Sequence, residues 1–208
     1  MRSIVKVSKT VEEAIEEAVK ELGVDREDVD IEVMEEPSKG LFGLIGVKDA
    51  KVKVTVVNDP VEITQNFIDM LLNEMQLSGR AEVNRKNSTV FVDVKDINSS
   101  DMGILIGRRG NTLDAVQYLL SLAVNRDREK YIRILVDAKG YRKKREETLV
   151  RLAERMAQKA KYSKRPIKLE PMNPYERRII HSALQNTDKV TTYSEGEEPY
   201  RRVVIEVK

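Results

Sequence analysis

The sequence predicts an α+β protein of three small domains: a βαββ N-terminal module, an αββααβ unit, and a last domain of helices packed on a small sheet. Three observations lead there. Apolar residues alternate at period two in short runs and recur at helical spacing between those runs. Charged residues make up 35% and aromatics 5% of the 208 residues, which suits modules with thin cores, while 40% hydrophobic residues argue for folded domains. Charge also falls into blocks. Residues 1–58 hold 9 basic and 13 acidic residues, net −4; residues 59–138 are net −2; residues 139–208 are net +8. The predicted domains follow those blocks, and the basic third is the electrostatic candidate for a polyanion.

The first module reads as a strand over 2–7, then a helix over 10–22. Val11, Ala14, Ile15, Ala18, Val19 and Leu22 form the helix's apolar face, Thr10 is its N-cap and Gly23 its stop. Strands follow at Asp30–Glu35 and Val47–Val57. Between them lies Lys39-Gly40-Leu41-Phe42-Gly43-Leu44-Ile45-Gly46. Two readings stand: a glycine-rich turn that tucks its apolar side chains inward, or an apolar loop that docks a protein partner. No Gly-Lys-Ser or Gly-Lys-Thr follows, so it is not a phosphate loop of the Walker type.

Pro60 suits the first turn of a helix, and Ile63, Phe67, Ile68, Leu71, Met75 and Leu77 carry its apolar spacing as far as Gly79. A hairpin over 80–86 and 89–95 turns at Asn87, with Val90, Val92 and Val94 on one face. A short helix near 101–106 precedes Gly107-Arg108-Arg109-Gly110, and Leu113, Val116, Leu119 and Leu120 start the next helix over 111–124. A strand at Tyr131–Val136 closes the unit. Glycines permit positive φ and close approach. The helix that follows supplies unpaired N–H groups and a positive dipole end, and two arginines add charge, so the turn is a phosphate cradle. A G-x-x-G loop between two helices is how KH domains clamp about four nucleotides. Taken alone, the tetrapeptide is a weak signal and reads more readily as a helix–turn–helix corner with solvated arginines. The order αββααβ, that of a type II KH domain, with the loop between the correct pair of helices, carries the reading further. Ile104, Ile106 and Leu113 are either groove residues for bases or core.

Residues 139–162 open with Lys139-Gly140-Tyr141-Arg142-Lys143-Lys144-Arg145 and continue as a helix with a buried stripe from Leu149 to Ala160. The basic run reads either as a solvated face or as a nucleic-acid contact. A strand over Pro166–Leu169 precedes Asn173-Pro174, an N-cap and first helical residue. Arg177 and His181, four residues apart, share one face of that helix. A lone histidine near an arginine is often structural, but Arg-x-x-x-His is also the signature of a single-stranded nucleic-acid module, the Arg-xxx-His domain. The chain ends on a strand over Val203–Val207.

These residues carry a resemblance. Lys39–Gly46, the type II KH order with its G-x-x-G loop, and Pro174-Tyr175-Glu176-Arg177-Arg178 with Gly196-Glu197-Glu198-Pro199-Tyr200-Arg201-Arg202 together resemble the bacterial Jag family, also called the SpoIIIJ-associated or KhpB/EloR proteins. The resemblance covers essentially the whole chain, as an N-terminal domain over 1–58, a KH domain over 59–138 and an Arg-xxx-His domain over 139–208. It departs in lacking the long charged linker that many members carry after the first domain. It implies single-stranded RNA, or DNA, as ligand. It makes Gly107, Arg108, Arg109 and Gly110 phosphate contacts, Arg177 and His181 the signature pair and RNA-binding residues, and Arg178, Arg201 and Arg202 further phosphate contacts. It also implies a second small KH protein or self-association, a membrane-associated protein partner for the N-terminal domain, and a role in cell elongation, division and wall synthesis.

Rival functions are a scaffold acting through Lys39–Gly46 and an enzyme. The enzyme reading has little to stand on, because the chain has no cysteine and one histidine, His181, with no recognisable nucleophile partner. No catalytic residue, metal or cofactor is expected. With no signal-peptide core and no membrane-length apolar run, the expected location is cytoplasmic, without direct membrane insertion.

Overall fold

The computed structural model describes residues 2–38, 48–126 and 128–208. The docking-loop reading of Lys39–Gly46 lies outside the described residues. The described residues form three three-stranded sheets, and the chain divides into two compact units, Met1–Asp137 and Ala138–Lys208.

In the first unit, β1 (Ser3–Ser8) and β2 (Val29–Glu35) flank β3 (Ala50–Val56) in an antiparallel sheet. The helix α1 (Val11–Leu22) lays Ala14, Ile15 and Ala18 on Val52 and Val54. Its ends are those the sequence predicts: Thr10 accepts from the Glu13 N–H, and Gly23, at φ 68°, donates to the Val19 carbonyl. A short 3-10 turn, Arg26–Asp28, leads into β2 and was not legible in the periodicity.

The order α2 (Pro60–Glu74), β4 (Arg80–Lys86), β5 (Thr89–Lys95), α3 (Ser99–Ile106), α4 (Asn111–Asn125), β6 (Arg133–Ala138) is the predicted αββααβ. β5 is the central strand, and Val90, Val92 and Val94 alternate into the core. Two boundaries differ from expectation. α2 stops before Leu77 because Gln76 turns left-handed at φ 53° and the Leu77 N–H reaches back to the Leu72 carbonyl, closing the helix with a Schellman-type bond. β6 starts after Tyr131 because the Asn125 side chain pairs with both the N–H and the carbonyl of Ile132.

The first two modules meet at a buried ion pair. Asp28 is wholly buried, and Arg128 Nη2 lies 2.5 Å from its Oδ1. Arg85 Nη1 stands 3.8 Å from the same carboxylate, and the Asp28 carbonyl accepts from the N–H groups of Val57 and Asn58. Burial pushes the Asp28 carboxyl above the usual carboxylate range, against the pull of Arg128.

In the second unit, α5 (Tyr141–Ser163) and α6 (Pro174–Leu184) pack on a sheet of order β7-β9-β8, made of Ile167–Lys168, Arg202–Val207 and Val190–Glu195. Leu149, Ala153, Ala157 and Ala160 of α5 face Ile180, Leu184, Val203 and Ile205. Arg145 Nε donates to buried Glu176 at 2.7 Å, fixing α5 to the first turn of α6. Among the described residues, no helix is long and apolar enough to cross a membrane.

Candidate nucleic-acid interface

The loop between α3 and α4 is built around its two glycines. Gly107 takes φ 71° and ψ −174°, a region open essentially to glycine alone. A Cβ there would stand 2.1 Å from Thr112 Oγ1, so the backbone and the first turn of α4 touch directly. Gly110, at φ 86°, is the N-cap of α4 and has no side chain to satisfy the helix's first N–H groups. Between them Arg108 and Arg109 are exposed. Arg109 itself is left-handed, at φ 59° and ψ 25°. The result is a tight, strained turn that offers backbone donors, a positive helix end and two cationic side chains to one place.

The three apolar neighbours separate cleanly. Leu113 is fully buried and Ile106 is 8% exposed, so both are core; Ile104 is 52% exposed and is the one available to a base beside the loop.

In the second unit, α6 begins as predicted: the Asn173 side chain accepts from the Glu176 N–H and Pro174 is its first residue. Arg177 is 8% exposed; one Nη donates to the Met172 carbonyl and the other to Glu198 Oε1, both at 2.7 Å. His181 sits between two strand hydroxyls, with Nδ1 2.7 Å from Thr192 Oγ1 and Nε2 2.9 Å from Ser194 Oγ. Burial, and secondly the Arg177 charge, lower its pKa below the ordinary histidine value, so the ring is held neutral. The signature pair is thus largely engaged inside the domain, linking α6 to β8 and to the turn before β9.

The remaining predicted residues lie on α6 and at the start of β9. Arg178 is exposed on α6. Arg201 is half-buried and donates to the Gly196 carbonyl at 3.1 Å, while Arg202 lies 4.0 Å from Glu195. Tyr175 and Tyr200 are 60% and 71% exposed, offering aromatic faces that the sequence reading passed over. A cleft of about 320 Å³ opens beside His181, lined among others by Gln185, Thr191, Thr192 and Lys208. Glu198, Thr192 and Ser194 were also missed; only the fold brings them to α6.

Comparison with known proteins matches three domain models in the order read from the sequence: Jag N-terminus over residues 7–56, the KhpA/KhpB KH domain over 62–135, and the Arg-xxx-His domain over 147–206. The chain is 44% identical to RNA-binding protein KhpB of Clostridium symbiosum, across all of this chain and 93% of that protein. It is 36% identical to RNA-binding protein KhpB of Bacillus subtilis, with full coverage of both.

Proposed function

The chain belongs to the KhpB family, and on that footing we propose that it is a non-catalytic protein that binds single-stranded RNA. The observation that carries the reading is the Gly107–Gly110 turn: two glycines at positive φ bracket two exposed arginines at the uncapped start of α4. The turn grips phosphates through backbone N–H groups and charge, and Ile104 meets the adjoining base. In the Arg-xxx-His domain, Arg177 and His181 act as positioning residues that hold α6, β8 and the Gly196–Arg202 segment in register. Arg178, Arg201 and Arg202 supply phosphate contacts there, and Tyr175 and Tyr200 stacking faces. On the same reading, RNA binding serves the regulation of cell elongation and wall synthesis that the family resemblance implied.

A second KH unit, from another small KH protein or another copy, fits the outer face of α4. Tyr118, Leu119 and Leu122 stand exposed there at helical spacing.

The test of RNA binding is fluorescence anisotropy of labelled single-stranded RNA pools at two salt concentrations, with wild type and the Arg108→Asp, Arg109→Asp double variant. Salt-sensitive binding that the variant loses, with a flatter salt slope, is the expected result. Binding untouched by the variant takes the RNA off the KH loop, and no binding by either protein contradicts the proposal.

A further inference from the structure

Resting on that reading of single-stranded nucleic-acid binding, we propose that the outer face of α5 is a separate phosphate-tracking surface. It is formed by Lys144, Arg151, Arg155 and Lys159 and ends in Tyr162. The helix buries Leu149, Ala153, Ala157 and Ala160. At 3.6 residues per turn, the four cations and Tyr162 fall in one stripe on the opposite side. All four cations are exposed, and Tyr162 is 93% exposed.

Apart from a 3.4 Å hydrogen bond from Arg151 Nη2 to Thr148 Oγ1, the four cationic side chains have no bond to the rest of the domain among the described residues. Among the described residues, no ion pair involves any of the four cations, whereas Arg145 on the same helix is paired with Glu176. Glu147 and Glu154 flank the stripe and are exposed, and neither pairs with it. Arg151–Arg155 and Arg155–Lys159 are like charges at i,i+4, an arrangement that weakens a helix. Two like-charge pairs in a row, in the block of the chain that is net +8, favour an anion from outside.

The geometry names the anion. Cations four residues apart on a helix are about 6 Å apart along its axis, close to the separation of neighbouring phosphates in an extended single strand. Tyr162 offers a stacking face at the end of the row, as single-strand binders do. A lipid surface fits poorly, because the apolar side of α5 is consumed by the domain core and leaves nothing to insert.

The experiment uses the full chain, a short oligouridylate of about four nucleotides that the KH loop can span, and a strand several times longer. Binding is measured against KCl concentration for wild type, the Arg151→Gln, Arg155→Gln, Lys159→Gln triple variant, and Tyr162→Ala. The triple variant is expected to lose about two units of log–log salt slope on the long strand, roughly 0.7 per released phosphate contact. Its affinity for the short strand should hold, and its thermal midpoint should stay level or rise. Tyr162→Ala should weaken the long strand by about five-fold or more. An unchanged slope on the long strand, with wild type binding normally, leaves the stripe to an acidic protein and overturns the proposal. A lowered thermal midpoint gives the stripe a structural role and overturns it too. Failure of wild type to bind either strand is the separate result that removes the RNA-binding reading, and this proposal with it.

Discussion

Gly107, Arg109 and Gly110 place three positive-φ residues within four positions of one loop. A left-handed non-glycine residue costs about 1–2 kcal/mol, and Arg109 sits at φ 59° between two positive-φ glycines. Such strain persists where the surrounding structure enforces it, and it gathers at ligand clamps. His181 differs: it is neutral, half-buried and hydrogen-bonded on both nitrogens. Its folded pKa lies below the unfolded value. Its contribution to stability is therefore complete above about pH 6.5 and fades as pH falls through the depressed folded value. His181 is the one histidine of the chain, so its ring resonance in a proton NMR titration is unambiguous. The expected midpoint lies below that of a free histidine, and a midpoint at or above it contradicts the burial argument. Thr10 and Asn173 were legible as caps, and Pro60 as a first-turn residue, because these signals are local. Glu198, Thr192 and Ser194 were not, since they lie 21, 11 and 13 residues from the groups they bond.

Helices and strands were readable where one face is buried and the period is clean, as in β3, β5 and α1. They misled at their ends, where side chains such as Asn125 or a left-handed Gln76 decide the boundary. The 3-10 turn Arg26–Asp28 had no periodicity to betray it, yet it carries the contact between the first module and the KH unit. The absence of a long linker after Val57 is matched by that contact: Arg128 donates to the Asn58 carbonyl and ion-pairs with Asp28. Replacing Arg128 by Ala leaves a buried carboxylate with the Asp25 N–H at 3.2 Å and Arg85 at 3.8 Å as its remaining partners among the described residues. The expected loss is about 3 kcal/mol, read as a lower urea midpoint in equilibrium unfolding of the full chain. A loss under about 1 kcal/mol, the range of exposed pairs, contradicts the buried-pair description.

Across the molecule, charge and fold divide the labour. An acidic first module is fixed to a KH unit whose loop is cationic and strained, and the strongly basic last third carries the Arg-xxx-His domain. The order of three modules was legible because each has its own short pattern. What was not legible is how the signature arginine and histidine are spent, since burial is a property of the folded domain. In the function proposed here, RNA is held at the Gly107–Gly110 loop and on the face around α6. The most direct test is ultraviolet crosslinking of the full chain to single-stranded RNA, with the crosslinked peptides identified by mass spectrometry. Crosslinks are expected in peptides spanning Ile104 to Leu113 and in those bearing Tyr175 or Tyr200. Crosslinks confined to residues 1–58 would contradict that function.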